Sequence, residues 1–213
     1  MPRLVVIDYG MGNLRSVAKA FEHAGTGFDI VVTSDPDIVR SADRVVVPGQ
    51  GAMPDCMAQL AGRGLDEAVC EAARTKPFLG ICIGLQMLFE FSEEGDCRGL
   101  GLLQGCVRRF PQDAMHDARG GRLKVPHMGW NEVLQLGSHP LWADIPDGSR
   151  FYFVHSYFVQ PADPALTAAR TRYGLDFTCA IATDNIFAVQ FHPEKSAYAG
   201  LTLLANFLRW QPG

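Results

Sequence analysis

Three short segments hold residues whose types and spacing could carry covalent chemistry. In Gly80-Ile81-Cys82-Ile83-Gly84 a thiol lies between two glycines at the end of an apolar run. A nucleophile in a tight turn between a buried strand and a helix is exposed at the strand's C-terminal end. Glycines two residues before and after remove the side chains that would crowd such a turn. The following helix would aim its free amides and dipole at the thiol and favour the thiolate. That alone is too little. A cysteine with a pKa of ~8.5 is about 3% thiolate at pH 7, and making it mostly thiolate takes about 2.7 kcal/mol. A helix dipole supplies about 0.3–1 kcal/mol. Cys82 therefore needs a basic partner, without which the segment reads as well as a core cysteine in a glycine-rich turn.

His192-Pro193-Glu194 supplies one. It follows the apolar run Phe187–Phe191, which places His192 at a strand end. In extended chain, residues two apart share a side, so His192 can face Cys82 while Glu194 orients the imidazole. Nucleophile, base and orienting carboxylate are the parts of a catalytic triad. Pro48-Gly49-Gln50-Gly51 also ends a strand, and its glycines let backbone amides turn toward a developing oxyanion. The Ile83 amide, next after the nucleophile, is the natural second donor.

The elements that must position these residues read as alternating strand and helix. Strands are expected at Arg3–Ile7, Ile30–Thr33, Val45–Val47 and Pro77–Ile81. Between them, Leu14, Val17, Ala18 and Phe21 fall at helical spacing, with Asn13 as N-cap and Gly25 as stop. Pro36–Ala42, Leu65–Ala73 and Leu85–Phe91 also read as helices. This alternation predicts βαβ units around a mostly parallel sheet, an α/β fold. Gly95–Pro126 is rich in glycine and charge and predicts loop, with one strand-like piece at Val107–Phe110 and the greatest mobility at Asp113–Gly121. Beyond it, Asn131–Leu136, Arg150–Val159, Leu166–Arg172, Phe177–Ala182 and Phe187–Phe191 predict an antiparallel strand extension, with a turn at Asp184-Asn185. A last helix places Leu201, Leu204, Ala205 and Leu208 on one face, with Ser196 as cap. No repeat or linker interrupts residues 1–213, which predicts a single domain.

Composition narrows the function. Lys plus Arg number 19 against 23 Asp plus Glu, a net charge of −4 that disfavours a dedicated nucleic-acid binder. The charge-free stretch Pro77–Phe89 falls well short of the roughly 20 residues of a membrane span. Leu4–Ile7 is cut by Asp8 and is too short for a signal peptide. A cytoplasmic protein is expected. Cys56, Cys70, Cys97, Cys106 and Cys179 show no C-x-x-C pairing, so no metal site and no disulfide framework is expected, and each reads as a buried small hydrophobe.

The three chemical segments, in this order and at this separation, resemble the class I glutamine amidotransferases over essentially the whole chain. The segments Asp8–Leu14, Pro126–Asn131, Phe151–Tyr157 and Phe191–Ser196 are similar to the glutaminase subunits of imidazole glycerol phosphate synthases. The resemblance implies that Cys82 attacks the side-chain amide of glutamine and that His192, supported by Glu194, protonates the leaving ammonia. Water then hydrolyses the glutamyl thioester. It implies an oxyanion hole at Gln50, Gly51 and Ile83. Glutamine would be held by Gly49, Gln86, Ser156 and Tyr157, and no cofactor is needed. Tyr9, Gly10, Met11, Gly12, Asn13, His127, Trp130, Asn131 and Lys195 would lie at the interface with a partner. Trp130 also reads as a half-buried aromatic and Lys195 as a solvated charge.

Little chain remains after the last helix to use ammonia, so the acceptor is expected to be a separate (β/α)8-barrel cyclase of histidine biosynthesis, forming a heterodimer. The sequence departs from the family it resembles at Gln50, usually a small apolar residue, and at Ala197, often polar. Three rival readings remain: an amidotransferase serving another synthase, a cysteine hydrolase on a similar sheet, and a non-catalytic scaffold. The scaffold would be expected to lack Cys82 or His192.

Overall fold

A computed structural model describes all residues except Gln112, Ala114 and Ala118. Its first half follows the expected alternation: β1 (Arg3–Ile7), α1 (Leu14–Ala24), β2 (Asp29–Thr33), α2 (Pro36–Ser41), β3 (Arg44–Gly49), α3 (Met53–Gly62), α4 (Asp66–Thr75) and β4 (Phe78–Cys82). The Asn13 side chain accepts from the Ser16 amide and caps α1, and Gly25 ends it. Helix α3 was not legible in the sequence. Its N-terminal amide, Met53 N–H, is capped from 41 residues away by the Glu94 carboxylate at 2.8 Å.

The central sheet runs β2-β1-β3-β4 and on to β14 (Ile186–Val189), all parallel, and continues antiparallel through β13 (Leu175–Thr183) and β11 (Tyr157–Pro161) to β7 (Leu103–Arg109). The later elements are α5 (Ile83–Gln86), β5 (Phe89–Ser92), β6 (Cys97–Arg98), β7 (Leu103–Arg109), β8 (His127–Glu132), β9 (Leu134–Gln135), β10 (Arg150–His155), β11 (Tyr157–Pro161), β12 (Thr167–Tyr173), β13 (Leu175–Thr183), β14 (Ile186–Val189) and α6 (Ala197–Arg209). Strands β3, β4 and β14 are fully buried, as is β1 beyond Arg3, and all four are near-continuously apolar, as parallel strands covered on both faces must be.

The second half corrects several expectations. The helix expected over Leu85–Phe91 ends at Gln86, and Phe89–Ser92 becomes a strand parallel to β7. The Leu88 carbonyl accepts from the Leu102 and Leu103 amides, so sheet pairing takes the hydrogen bonds a longer helix would have used. Within the expected loop Gly95–Pro126, β6 and the seven-residue β7 form, because a distant strand, β11, pairs with β7. The run Arg150–Val159 breaks at Ser156. Its first part pairs with β8 in a separate two-stranded sheet and its second joins the central sheet. Asn131–Leu136 likewise breaks at Val133. The turn at Asp184-Asn185 joins β13 to β14 as expected. Of Asp113–Gly121, the expected mobile stretch, Ala114 and Ala118 lie outside the described residues; His116 forms a bridge to Arg122.

Helix α6 buries Leu203, Leu204, Phe207 and Leu208, a face rotated from the expected one, while Leu201 and Ala205 are half-buried. Of the remaining cysteines only Cys56 and Cys179 are buried; Cys70, Cys97 and Cys106 are half-buried. Among the described residues, no helix is long and apolar enough to cross a membrane.

Candidate active site

Cys82 ends β4 with φ 56° and ψ −107°, a backbone conformation that non-glycine residues rarely adopt. The strain is held by close packing. A Cβ at Gly84 would run into the Val47 carbonyl, one at Gly80 would lie 2.7 Å from the Gly84 carbonyl, and one at Gly49 would lie 2.5 Å from the Ile83 Cβ. Side chains at any of the three would push β3, β4 and α5 apart. The glycines thus serve close approach rather than flexibility. Because α5 has only four residues, its dipole is weaker than the sequence argument allowed, and the basic partner carries more of the burden.

That partner arrives by a different geometry from the one expected. Strand β14 ends at Val189, and Pro193–Lys195 is a 3-10 turn rather than extended chain. The turn at Pro193 brings Glu194 back so that His192 Nδ1 donates to its carboxylate at 2.9 Å. A carboxylate only accepts, so Nδ1 carries the proton and Nε2 is left for the nucleophile. Both side chains are buried. Burial alone would push the imidazole down, but the Cys82 sulfur and then Glu194 outweigh it and hold His192 up to about 10. Nε2 makes no well-aligned hydrogen bond, and the largest attraction toward Cys82 is that of charge.

Ser196 stands at the N-cap of α6 as expected, but its side chain makes no capping bond and serves instead as a tether. Its hydroxyl donates to the His192 carbonyl at 2.6 Å and accepts from the Tyr152 amide at 2.9 Å. The His192 amide in turn donates to the Tyr152 carbonyl at 2.9 Å. The histidine turn is therefore bolted to β10.

Cys82 and His192 line one cavity of about 250 Å³ together with Gln50, Gly51, Ile83, Gln86, Ser156 and Tyr157. The structure thus gathers most residues expected at the oxyanion hole and the substrate pocket. Gly49 does not line it; it is paired with Cys82 across the sheet and packed against Ile83 and the Tyr9 hydroxyl. Sequence reasoning missed Glu94, which also lines the cavity and is raised by burial. It also missed Gln190, whose side-chain amide donates to the Cys82 sulfur at 3.6 Å. A buried glutamine inside the apolar run Phe187–Phe191 was the available signal.

Of the residues expected at a partner interface, Tyr9 and His127 are buried and lie beneath the surface rather than on it. The Tyr9 hydroxyl donates to the Pro48 carbonyl at 2.7 Å, supporting the start of the Gly49–Gly51 segment. Gly10, Gly12, Asn13 and Trp130 are exposed, and Met11, Asn131 and Lys195 are half-exposed. Trp130 packs edge-on to Tyr152, and the Lys195 ammonium lies 6.0 Å from the same ring. With Met128 exposed two residues earlier along β8, this forms an aromatic patch with a cation on it.

Beneath it, His155 Nδ1 donates to the Tyr157 carbonyl at 2.7 Å, since a carbonyl only accepts. Its Nε2 then accepts from His127 Nδ1 at 2.9 Å. Asn131 Nδ2 lies 3.3 Å from His127 Nε2 and donates to the Arg172 carbonyl at 2.9 Å. Burial pushes His127 down to about 4 and His155 to about 3, so both are neutral at pH 7.

A strained cysteine and a carboxylate-oriented histidine at the ends of neighbouring strands, one parallel sheet carrying both, define a class of protein. The class I glutamine amidotransferase family model matches residues 5–210, and the chain belongs to that family. Among solved structures, PurLQS from Thermotoga maritima shares the fold at a TM-score of 0.72 and 20% identity, covering 98% of each chain. A glutamine amidotransferase from Thermotoga maritima does so at 0.61 and 18% identity, covering 93% of this chain and 78% of that one.

Within the family, the chain is similar over its length to proteins named imidazole glycerol phosphate synthase subunit HisH. The Aromatoleum aromaticum protein is 66% identical over 212 residues, covering 100% of both chains. The Thiobacillus denitrificans protein is 64% identical over 210 residues, covering 99% of this chain and 92% of that one.

Proposed function

We propose that this protein hydrolyses glutamine to glutamate and ammonia through Cys82, His192 and Glu194. The ammonia passes to a separate (β/α)8-barrel cyclase that makes imidazole glycerol phosphate and an aminoimidazole carboxamide ribotide in histidine biosynthesis. The observation that carries the reading is Cys82 in a strained turn beside a Glu194-oriented His192, both on one cavity. The Cys82 thiolate attacks the side-chain carbonyl carbon of glutamine, and His192 gives its proton to the departing nitrogen. Neutral His192 then takes a proton from water, which attacks the thioester and releases glutamate. Backbone amides of Gly51 and Ile83, which line the same cavity, receive the oxyanion in this reading.

Gln86 and Glu94 suit the amino-acid end of the substrate. Gln86 Oε1 is buried without a partner, and Glu94 offers a carboxylate on the same cavity, so an α-ammonium group finds acceptors there. Full-length similarity to HisH subunits supports the cyclase as acceptor, and the patch of exposed Trp130 and Met128 with half-exposed Lys195 supports the docking face.

The test is glutamate release from glutamine, with and without the cyclase and its ribonucleotide ligand, for wild type and Cys82→Ala. Strong stimulation that Cys82→Ala abolishes is the expected result. Cysteine-dependent release indifferent to this cyclase would keep the amidotransferase and remove the pathway. Release independent of Cys82 would remove the mechanism.

A further inference from the structure

Gln190 lies just past β14 and is completely buried. Its backbone amide donates to the Cys179 carbonyl at 2.8 Å, so the chain still follows β13 there. Its side chain is held at both ends: Oε1 accepts from Gln86 Nε2 at 3.0 Å, and Nε2 donates to the Cys82 sulfur at 3.6 Å. A side-chain amide in an apolar strand is costly unless its donors and acceptor are met. The sulfur is the partner of this donor, and a neutral thiol is a weak acceptor whereas a thiolate is a strong one. The arrangement is well satisfied only when Cys82 is ionised.

The direction of the chain of hydrogen bonds is fixed by one atom. The Tyr157 carbonyl can only accept, and Gln86 Nε2 lies 3.2 Å from it. Gln86 therefore presents its NH2 group to Tyr157, and the second hydrogen of that group reaches Gln190 Oε1. Gln190 is left with its own NH2 toward Cys82. Reversing Gln86 would set its oxygen against the Tyr157 carbonyl and Gln190 Oε1, and reversing Gln190 would set NH2 against NH2 and a carbonyl oxygen against the sulfur.

We propose that Gln190 is a further catalytic residue, whose side-chain amide stabilises the Cys82 thiolate and is oriented for that task by Gln86 and the Tyr157 carbonyl. The inference rests on the nucleophilic reading of Cys82 above. It acts at two points of the reaction. Before attack, the amide holds the sulfur as the anion beside protonated His192. When water opens the thioester, the C–S bond breaks and its electron pair returns to the sulfur, where the same donor receives it. Gln86, which lines the substrate pocket, thereby links the seat of the substrate to the state of the nucleophile.

The test uses Gln190→Met, similar in length but without a donor, and Gln190→Glu, which keeps an acceptor for Gln86 but turns an acceptor toward the sulfur. Alkylation of Cys82 by iodoacetamide is followed against pH on the peptide that carries it. Glutamate release is measured with the cyclase bound. Loss of a hydrogen bond to a charged group corresponds to about a 10- to 100-fold fall in kcat, and a rise of about 1 to 2 in the pH midpoint of alkylation. Gln190→Glu moves the midpoint further up than Gln190→Met, and kcat falls more than KM rises.

A folded Gln190→Met chain with wild-type midpoint and kcat would overturn the proposal. Should either variant fail to fold, the wild-type chain decides. Its Gln190 side-chain NH2 resonances shift with the pH midpoint of Cys82 alkylation, and resonances that ignore that titration overturn it. Wild-type glutamate release unaffected by Cys82→Ala would instead sink the glutaminase reading, while the alkylation midpoints still report on Gln190.

Discussion

On the Cys82 side of the cavity, position is set by backbone against backbone: Gly80, Gly84 and Gly49 let β3, β4 and α5 approach so closely that no Cβ fits between them. On the His192 side, position is set by hydrogen bonds that cross the molecule. Ser196 and Tyr152 clamp the turn, and Glu194 clamps the ring. The first device is local and steric, and it has no graded failure. The second is distributed, so its members can be removed one at a time. The difference teaches where this site is brittle and where it is tunable.

The largest expected effect tests the steric half. Gly84→Ala drives a methyl group into the Val47 carbonyl, and forced repacking of this kind costs upward of ~4 kcal/mol. Urea unfolding should show a chain largely unfolded or lacking a competent Cys82. A midpoint near wild type would mean that β3 and α5 can separate cheaply, and the contrast would collapse.

Next, Glu194→Gln should leave the fold intact and lower glutamate release by about 10²–10⁴-fold, because His192 loses the charge that orients it and holds it protonated. Activity within threefold of wild type would remove Glu194 from the mechanism. Ser196→Ala orphans the partly buried Tyr152 amide and frees the histidine turn. It should cost about 1–3 kcal/mol in denaturant unfolding, with a smaller kcat loss than Glu194→Gln. A kcat loss as large as that of Glu194→Gln would show the histidine side to be as brittle as the cysteine side.

Acid sharpens the comparison further. His127 and His155 are held below the ordinary histidine value, so the unfolded chain binds protons more readily. Their contribution to stability is fully present above about pH 6.5 and is lost as pH falls toward about 4. His192 runs the other way, its contribution present below about 6.5 and lost as pH rises through about 10. Unfolding midpoints from pH 7 to 4 should fall, with a shallower slope in the His127→Gln, His155→Gln double variant. An unchanged slope would sever the pair from acid stability. The smallest effect is expected from Gln50→Val, since Gln50 is exposed and the substitution keeps the backbone amide that the oxyanion reading uses. Glutamate release should stay within about twofold, and a large loss would assign the side chain a role.

The parallel half of the fold was readable because its strands are short apolar runs separated by helices, the first two of them capped locally by Asn13 and Asp35. Asn13 before Leu14 is a signal contained within a few residues. Helix α3 escaped notice because its cap, Glu94, comes from the far side of the molecule. Strand β5 escaped it, and β7 was legible only at its Val107–Arg109 end, because pairing between distant segments overrode local composition. The triad was legible as residue types and order. The turn at Pro193, which brings Glu194 to the imidazole, was not, and neither was Gln190, whose polarity gains meaning only beside the sulfur.

The sequence by itself determined that a cysteine would end a buried strand between obligatory glycines, that a histidine and a carboxylate two residues apart would follow another strand, and that the sheet would be mostly parallel. Those outcomes depend on local sterics and on hydrophobic period, which travel with the residues. Tertiary structure decided that β4 and β14 are neighbours, that β10 stays outside the central sheet while the chain past Ser156 joins it, and that Tyr157, Gln86 and Gln190 line up toward Cys82. Such choices depend on which distant backbone groups satisfy one another once buried, and no stretch of sequence contains both partners.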